Sequence, residues 1–557
     1  MKRRNILITL LLVAAMGVMP IDALAQNNRR VEVTKAYSPE VSAATKLLAP
    51  TIINDSTVYN PDIEYNVLRE TWNTSLSAHD FNPATYQFWN NSTSQHFFVK
   101  ADAGFPLASD AVLRYTLQHK RLGYLNVGVN HVGDYAARYN VEGVKRSMAN
   151  SLSMRNGVDV GGGVIFDKYL LDAYAAYDNS LFNRYAQVGA PARVDFHDAR
   201  MAVRFGDSFS NLKRLNFSVE AHGGYWYHKL PMAVESINSY GEANVGASAT
   251  LARLFFNKNR VDVKASYDMW MGGDIYRDTR IGVDVGYARR FKAVNVEVGV
   301  GYIFDKVAGR SRASHFITPH AKVLLDLKLD AFTPYLEANT HVGQNSVAAL
   351  YRRNPYIDFG AMGAEFGKMA NDLSYNLSIG FTGNVQTRFA YRAFFGVNFV
   401  QNQTLFYLTP EHNFSAVSAN NTRLVYGAEL EYMPIGGLRL GGSIMGVVDN
   451  VSSLYWSNDP AYEASIFAEY TLRRWHFGIT SDFVGKRHWS QVDERGSLLA
   501  PVKHKGYIDL GANISFRATN SVDVFAEGVN LINAKIYDFA NYYRSGIGFK
   551  VGVKIEF

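Results

Sequence analysis

The 557 residues contain no cysteine and carry a formal net charge of +7. The absence of cysteine excludes disulfides and a lipid anchor through a modified Cys, and so small a charge surplus excludes a nucleic-acid partner. Beyond the amino-terminal segment no apolar run reaches about 18 residues, which excludes helical membrane spans.

Residues 1–25 read as an export signal. Lys2, Arg3 and Arg4 form a basic start, Ile6 to Val18 an apolar stretch too short to span, and Ala23-Leu24-Ala25 a cleavage site before Gln26. Without this segment the net charge falls to +5. Residues 26–94 are different in kind. Pro39, Pro50, Pro61 and Pro83 punctuate them, alternation is poor, and Asn, Asp, Ser and Thr are frequent. An extended periplasmic arm and a disordered segment are equally compatible with that composition.

From His96 the pattern changes to a period of two, which in a β-strand separates one apolar face from one polar face. Val261, Val263, Ala265, Tyr267 and Met269 alternate with Asp262, Lys264, Ser266 and Asp268. The same holds for Val294–Phe304, Leu424–Tyr432, Ala464–Leu472 and Ile508–Phe516. The segment lengths are close to the 9–11 or so residues that a tilted strand needs to cross a bilayer. With 34 Tyr, 34 Phe, 45 Gly and only 15 Pro, the repetition predicts an all-β fold. It is a transmembrane antiparallel up-and-down β-barrel over 95–557, in a Gram-negative outer membrane.

Connection lengths also alternate. Short ones lie near Asp167–Leu170, Phe256–Arg260, Arg290–Lys292, Asn384–Thr387, Pro434–Gly437, Arg473–Arg474 and Thr519–Ser521. Long ones lie near 132–156, 179–195, 228–238, 305–314, 343–371, 411–421, 487–505 and 534–545. Short periplasmic turns opposite long outer loops are expected of such barrels, and the tally predicts about 22 strands with both termini on the periplasmic side. Trp226, Trp270, Trp456, Trp475 and Trp489 fall at predicted strand ends or in adjoining loops, where aromatic girdles are expected. A soluble sandwich would instead have to bury its apolar faces against a second sheet.

The final segment is the most regular. Ile547, Phe549, Val551, Val553, Ile555 and Phe557 alternate with Gly548, Lys550, Gly552, Lys554 and Glu556. An open sheet edge in hydrocarbon leaves backbone groups unpaired, so this strand should close the barrel against the first one near His96. Phe549, Val551, Val553, Ile555 and Phe557 then serve as the barrel-closing and assembly signal.

Val522–Asn533, with Glu527-Gly528-Val529-Asn530-Leu531-Ile532-Asn533 at its end, and the Phe-terminated closing strand resemble the TonB-dependent receptor family of Gram-negative outer membranes. The resemblance implies a 22-strand barrel and a receptor or transporter for a ligand too large for porins. It also implies a partner at the amino end. Val31, Glu32, Val33 and Thr34 look like the short box that engages the inner-membrane TonB-type energy coupler, although a chance Val-x-Val-Thr reads the same way. The sequence departs from the family at 35–94, which lack the compact patterning of its plug domain. A barrel of this diameter without a plug would be an open hole. The arm folded inside, an inward-folded long loop or a partner protein could each close it. The alternative function is therefore a plugless accessory or scaffold barrel, with other outer-membrane or lipoprotein subunits as partners.

No catalytic constellation, phosphate loop or dinucleotide fingerprint is present, and the histidines lack metal spacing; no enzyme activity, cofactor or metal is expected. Gly161–Gly163 and Gly299–Gly301 sit within strands, where lumen-side glycine permits close packing. The candidate ligand-binding residues are Tyr351, Arg352, Arg353 and Tyr356, two cations between two aromatics in a segment compatible with a short helix. Pairing of Arg352 and Arg353 with lumen carboxylates, sealing the channel, is the competing reading. The basic turns at Arg289, Arg290, Lys292, Arg473 and Arg474 read as solvated or in contact with lipid phosphate.

Overall fold

In the computed structural model the described residues are 93–557, apart from 120–121, 188–190, 210, 230–238, 273–275, 308–309, 328–330, 359–368, 387 and 452–454. The export signal, the arm and the tetrad Val31–Thr34 lie outside them. Among the described residues no helix is long and apolar enough to cross a membrane. The crossing elements are strands, joined into a closed antiparallel barrel of 22.

Each strand pairs with the next in sequence, and the ring closes where Thr93–Phe105 meets Gly548–Glu556. Phe98 lies opposite Glu556 and Phe105 opposite Phe549, so the ladder runs the length of the last strand. The final residue belongs to it. Phe97 N–H donates to the Phe557 carbonyl at 2.7 Å, Phe557 N–H donates back at 3.0 Å, and their rings stack at 5.3 Å. Closure leaves no edge N–H or C=O to hydrocarbon, the requirement from which it was anticipated.

The alternation resolves into two faces. Val298, Val300, Tyr302, Leu424, Leu430, Ile466, Ile514, Phe549 and Val551 are exposed on the outer wall. The intervening polar residues pair across the lumen face, as in Arg204–Asp172, Arg439–Glu431 and Arg423–Asp449. Glycine on that face makes room for these groups: a Cβ at Gly163 would overlap Tyr124, and one at Gly299 the His320 ring. At the seam, Lys100 lies 2.9 Å from Asp102, whose fully buried carboxylate also faces Lys550 at 4.0 Å.

Connections segregate by rim. Both chain ends of the barrel lie on what we call the terminal rim, whose turns include 167–168, 256–258, 292–293 and 473–474. Asp167, Asn257 and Arg473 adopt positive φ there, as tight two- and three-residue hairpins demand. The other, the loop rim, carries 135–152, 184–192, 343–372, 485–506 and 530–547.

Two expectations are corrected. The stretch 411–421 is not a long loop, because the strands Phe389–Leu408 and Phe414–Tyr432 continue far past the wall and leave only a short turn. The tryptophans do not all form girdles. Trp226 and Trp489 are buried inside the barrel mouth, and Trp270 packs against the same cluster under Arg280. Strand parity is the reason: Trp226 shares the inward set of its strand with His222 and His228, while Tyr225 takes the outward position. The outer girdle at the terminal rim is built instead from Trp475 with Phe477 and Phe516, and from Tyr169 with Phe205 and Phe217.

Candidate functional site

Among the described residues, a buried apolar cluster lies not in a wall but across the mouth of the barrel at the loop rim. Counted from the amino end, it draws Phe196, Trp226 and Tyr240 from the sixth to eighth strands, and Leu408 and Phe414 from the fifteenth and sixteenth. Trp489 and Tyr542 come from the connections that precede the twentieth and last strands. In a ring of 22 the first two groups stand on opposite walls. A continuous cluster that joins them crosses the opening, which makes it a cap.

The centre of the cap is the helix Val347–Arg353. Ser346 caps it by accepting the Ala349 N–H at 3.2 Å, and the Glu242 carboxylate accepts the Ala348 N–H at 2.9 Å. Val347, Ala348, Leu350 and Tyr351 are buried, so this short helix stands on packing rather than on its own propensity. Tyr351 is 1 % exposed, with ring centroids of Phe196, Trp226 and His228 at 5.3, 5.4 and 5.0 Å. Beyond the helix, Tyr356 stacks on Tyr542 at 3.6 Å, and Ile357 bridges to Phe414.

Polar contacts bolt the loop to the wall at its base. Arg280, paired with Asp305 at 3.2 Å, donates to the carbonyls of Val342 and Gly343. Asn345 donates to Asp372 at 2.8 Å and accepts from Thr404 at 2.9 Å. The buried Arg184 guanidinium donates to the Ile357 carbonyl. Other loops cross-link above: Tyr185 Oη donates to the Tyr543 carbonyl at 2.7 Å, and Asn413 donates to Asp358 at 3.0 Å. Burial raises the phenols of Tyr185, Tyr356 and Tyr542 above the ordinary tyrosine range, so the cap holds them neutral.

The residues singled out from sequence fall into this assembly unevenly. Arg352 pairs with Asp198 of the wall strand Arg193–Asp207 at 2.8 Å, and Arg353 with Asp372 at the foot of its own loop at 3.0 Å. Tyr351 and Tyr356 are interior to the cap. Phe549, Val551, Val553, Ile555 and Phe557 lie at the seam, far along the ring from the helix in strand order. The segment Glu527–Asn533 ends its strand in an Asn-built turn: Asn530 accepts the Ala534 N–H and donates to its carbonyl, both at 2.8 Å. That turn launches the loop carrying Phe539, Ala540 and Tyr542 into the cap. Sequence reasoning missed Phe196, Trp226, Tyr185, Trp489 and Tyr542. The available signal was large aromatics on the polar parity of a strand, as at Trp226.

No family model matches the chain, and none of the curated proteins does. Solved structures do match. The copper transporter OprC aligns with TM-score 0.62 at 16 % identity, over 84 % of this chain and 81 % of that one. The FrpB iron transporter from Neisseria meningitidis gives 0.65 at 12 %, over 85 % and 82 %. The siderophore receptor PirA from Acinetobacter baumannii gives 0.64 at 10 %, over 84 % and 81 %. The chain is thus similar in fold, along most of its length, to the outer-membrane barrels of TonB-dependent receptors.

Proposed function

We propose that the protein is an outer-membrane receptor or transporter that meets its ligand at the loop rim, with the helix-bearing loop 343–372 as the stopper of its lumen. The observation that carries this reading is the aromatic cap joining opposite walls around Tyr351. The barrel shared with OprC, FrpB and PirA, whose names speak of copper, iron and siderophore, supports the uptake class but not a ligand. In this reading the loop rim faces outward, and Val31–Thr34 reaches the inner-membrane energy coupler. Deleting Val31–Thr34 should abolish uptake of a nutrient while the barrel remains folded and heat-modifiable in gels. A folded deletion strain that grows normally on every limiting nutrient tested contradicts it.

One observation favours a second reading, an accessory barrel in a larger complex. Among the described residues, those from 141 to 542 by themselves join opposite walls across the mouth. Stable co-purification of other envelope proteins in mild detergent, with no growth defect from the deletion, would select that reading.

A further inference from the structure

The charge of the two rims differs sharply. The ten connections of the terminal rim hold eleven Lys and Arg against three Asp. The eleven connections of the loop rim, though far longer, hold sixteen against eleven acidic residues. Several arginines near the terminal rim have a carboxylate, as in Arg290–Asp326, Arg260–Asp262 and Arg214–Asp207. Arg253 and Arg289 do not: among the described residues neither has an acidic partner. Both belong to the outward parity of their strands, with Leu251 and Phe255 around one, and Val285 and Phe291 around the other.

They are also neighbours. Val261 lies opposite both Arg253 and Tyr287, and Asn259 opposite both Phe255 and Arg289. The two arginines therefore flank the strand Asn259–Gly272 at a separation of about 12 Å, from the strand spacing and rise. Two extended arginine side chains can meet across that span on one anion. Each guanidinium lies over a rim aromatic, Arg253 on Phe255 at 5.2 Å and Arg289 on Phe291 at 4.5 Å, while the Arg289 Nε has no hydrogen-bond partner. Between them Tyr287 Oη donates to Asn259 at 2.9 Å. Exposed Lys258 and Lys292 in the adjoining turns add two further cations.

We propose that this part of the outer wall, over the strands Ser239–Phe255, Asn259–Gly272 and Tyr276–Phe291, seats the phosphate headgroup of an anionic glycerophospholipid between Arg253 and Arg289. The chemistry is complementary at both ends. Leu251, Val261, Val263 and Val285 form an apolar wall for the acyl chains, and the aromatics mark the depth at which hydrocarbon gives way to headgroups. A cation on a lipid-facing position is tolerated when it reaches the interface, and gains further when an anionic lipid meets it there. A lone phosphate would find the same guanidinium groups but no use for the wall.

The full-length protein, delipidated in detergent, would be titrated with phosphatidylglycerol, phosphatidylcholine and inorganic phosphate, with bound molecules read by native mass spectrometry. Phosphatidylglycerol should be retained preferentially over phosphatidylcholine, and the double variant Arg253→Gln/Arg289→Gln should bind it roughly thirty-fold more weakly. Arg310→Gln/Arg312→Gln at the opposite rim should leave binding unchanged, and Arg253→Lys/Arg289→Lys should restore most of it. Should the Gln pair fail to fold, Lys258→Gln/Lys292→Gln in the exposed turns should still weaken retention several-fold. Equal retention of the two lipids, undiminished binding by these variants, or full displacement of lipid by inorganic phosphate would overturn the assignment.

Discussion

Tyr351→Ala removes the ring at the middle of the cap while leaving every wall strand intact. The phenol is 1 % exposed and has three aromatic neighbours within 5.4 Å. Truncating so large a buried side chain costs about 3–5 kcal/mol. The hydrogen-bonded ladder of the barrel does not pass through Tyr351, so that loss falls on docking of the loop rather than on closure of the ring. At about 1.36 kcal/mol per tenfold, the undocked population should rise between about a hundred-fold and a few thousand-fold. Arg352 and Arg353 then serve as reporters, because trypsin cleaves after them only when the helix leaves the mouth. The assay is limited tryptic digestion of the folded protein in detergent, with heat-modifiability checking the barrel. Cleavage should accelerate in proportion to the undocked population where opening and closing are fast. A folded Tyr351→Ala protein cut no faster at Arg352 and Arg353 than the parent would refute the helix as a packed stopper.

Four further outcomes test separate parts of the structure. Arg352→Gln removes one of the two cleavage sites but should change cleavage after Arg353 little, because its half-exposed pair with Asp198 contributes only about 0.2–1 kcal/mol. Brominated lipids should quench Trp475 on the outer girdle but leave Trp226 and Trp489 bright; quenching of the buried pair would place the cap outside the barrel. Asp102→Ala leaves Lys550 without its buried carboxylate and Lys100 with Asp110 alone, at 2.8 Å, and should lower stability by about 1–3 kcal/mol in urea titrations in detergent. In the loop 485–506, burial holds His488 and His504 below the usual histidine range, with Lys486 and Arg487 adding repulsion at one and the other. The folded loop thus disfavours the proton. Its stability is full above about pH 6.5 and declines as pH falls below that value. Exchange protection of this loop, corrected for intrinsic rates, should hold from pH 9 to 7.5 and weaken toward pH 5; a gain on acidification would contradict the sign.

The wall was legible because its rule is local. A period of two assigns each side chain to lipid or lumen without knowledge of distant residues, and a closing strand such as Gly548–Glu556 needs only one partner distant in sequence, the first. Tight turns such as Arg473–Arg474 and Asp167-Lys168 announced themselves by length. The cap was not legible in the same way, since it is assembled from seven parts of the chain whose proximity depends on barrel circumference. Tyr351 was noticed, but as a ligand contact, because nothing local shows that Phe196 and Trp226 converge on it. Trp226 could have been placed from parity alone. The strand Phe414–Tyr432 reads too short in the sequence because the Asn and Ser residues of 411–421, above the wall, resemble loop composition.

The overlong hairpin of Phe389–Leu408 and Phe414–Tyr432 changes what the cap is mechanically. Its ladder is broken by an irregularity between Val400 and Gln403, beyond which Leu405, Leu408 and Phe414 turn into the interior. The same two strands that bear the load of the cylinder thus lean over its opening and form one jaw of the closure. Tension applied to the helix through Ile357 and Phe414 would run down continuous β-structure to the terminal rim, so the outer face and the opposite end of the molecule share a stiff lever rather than a chain of flexible joints.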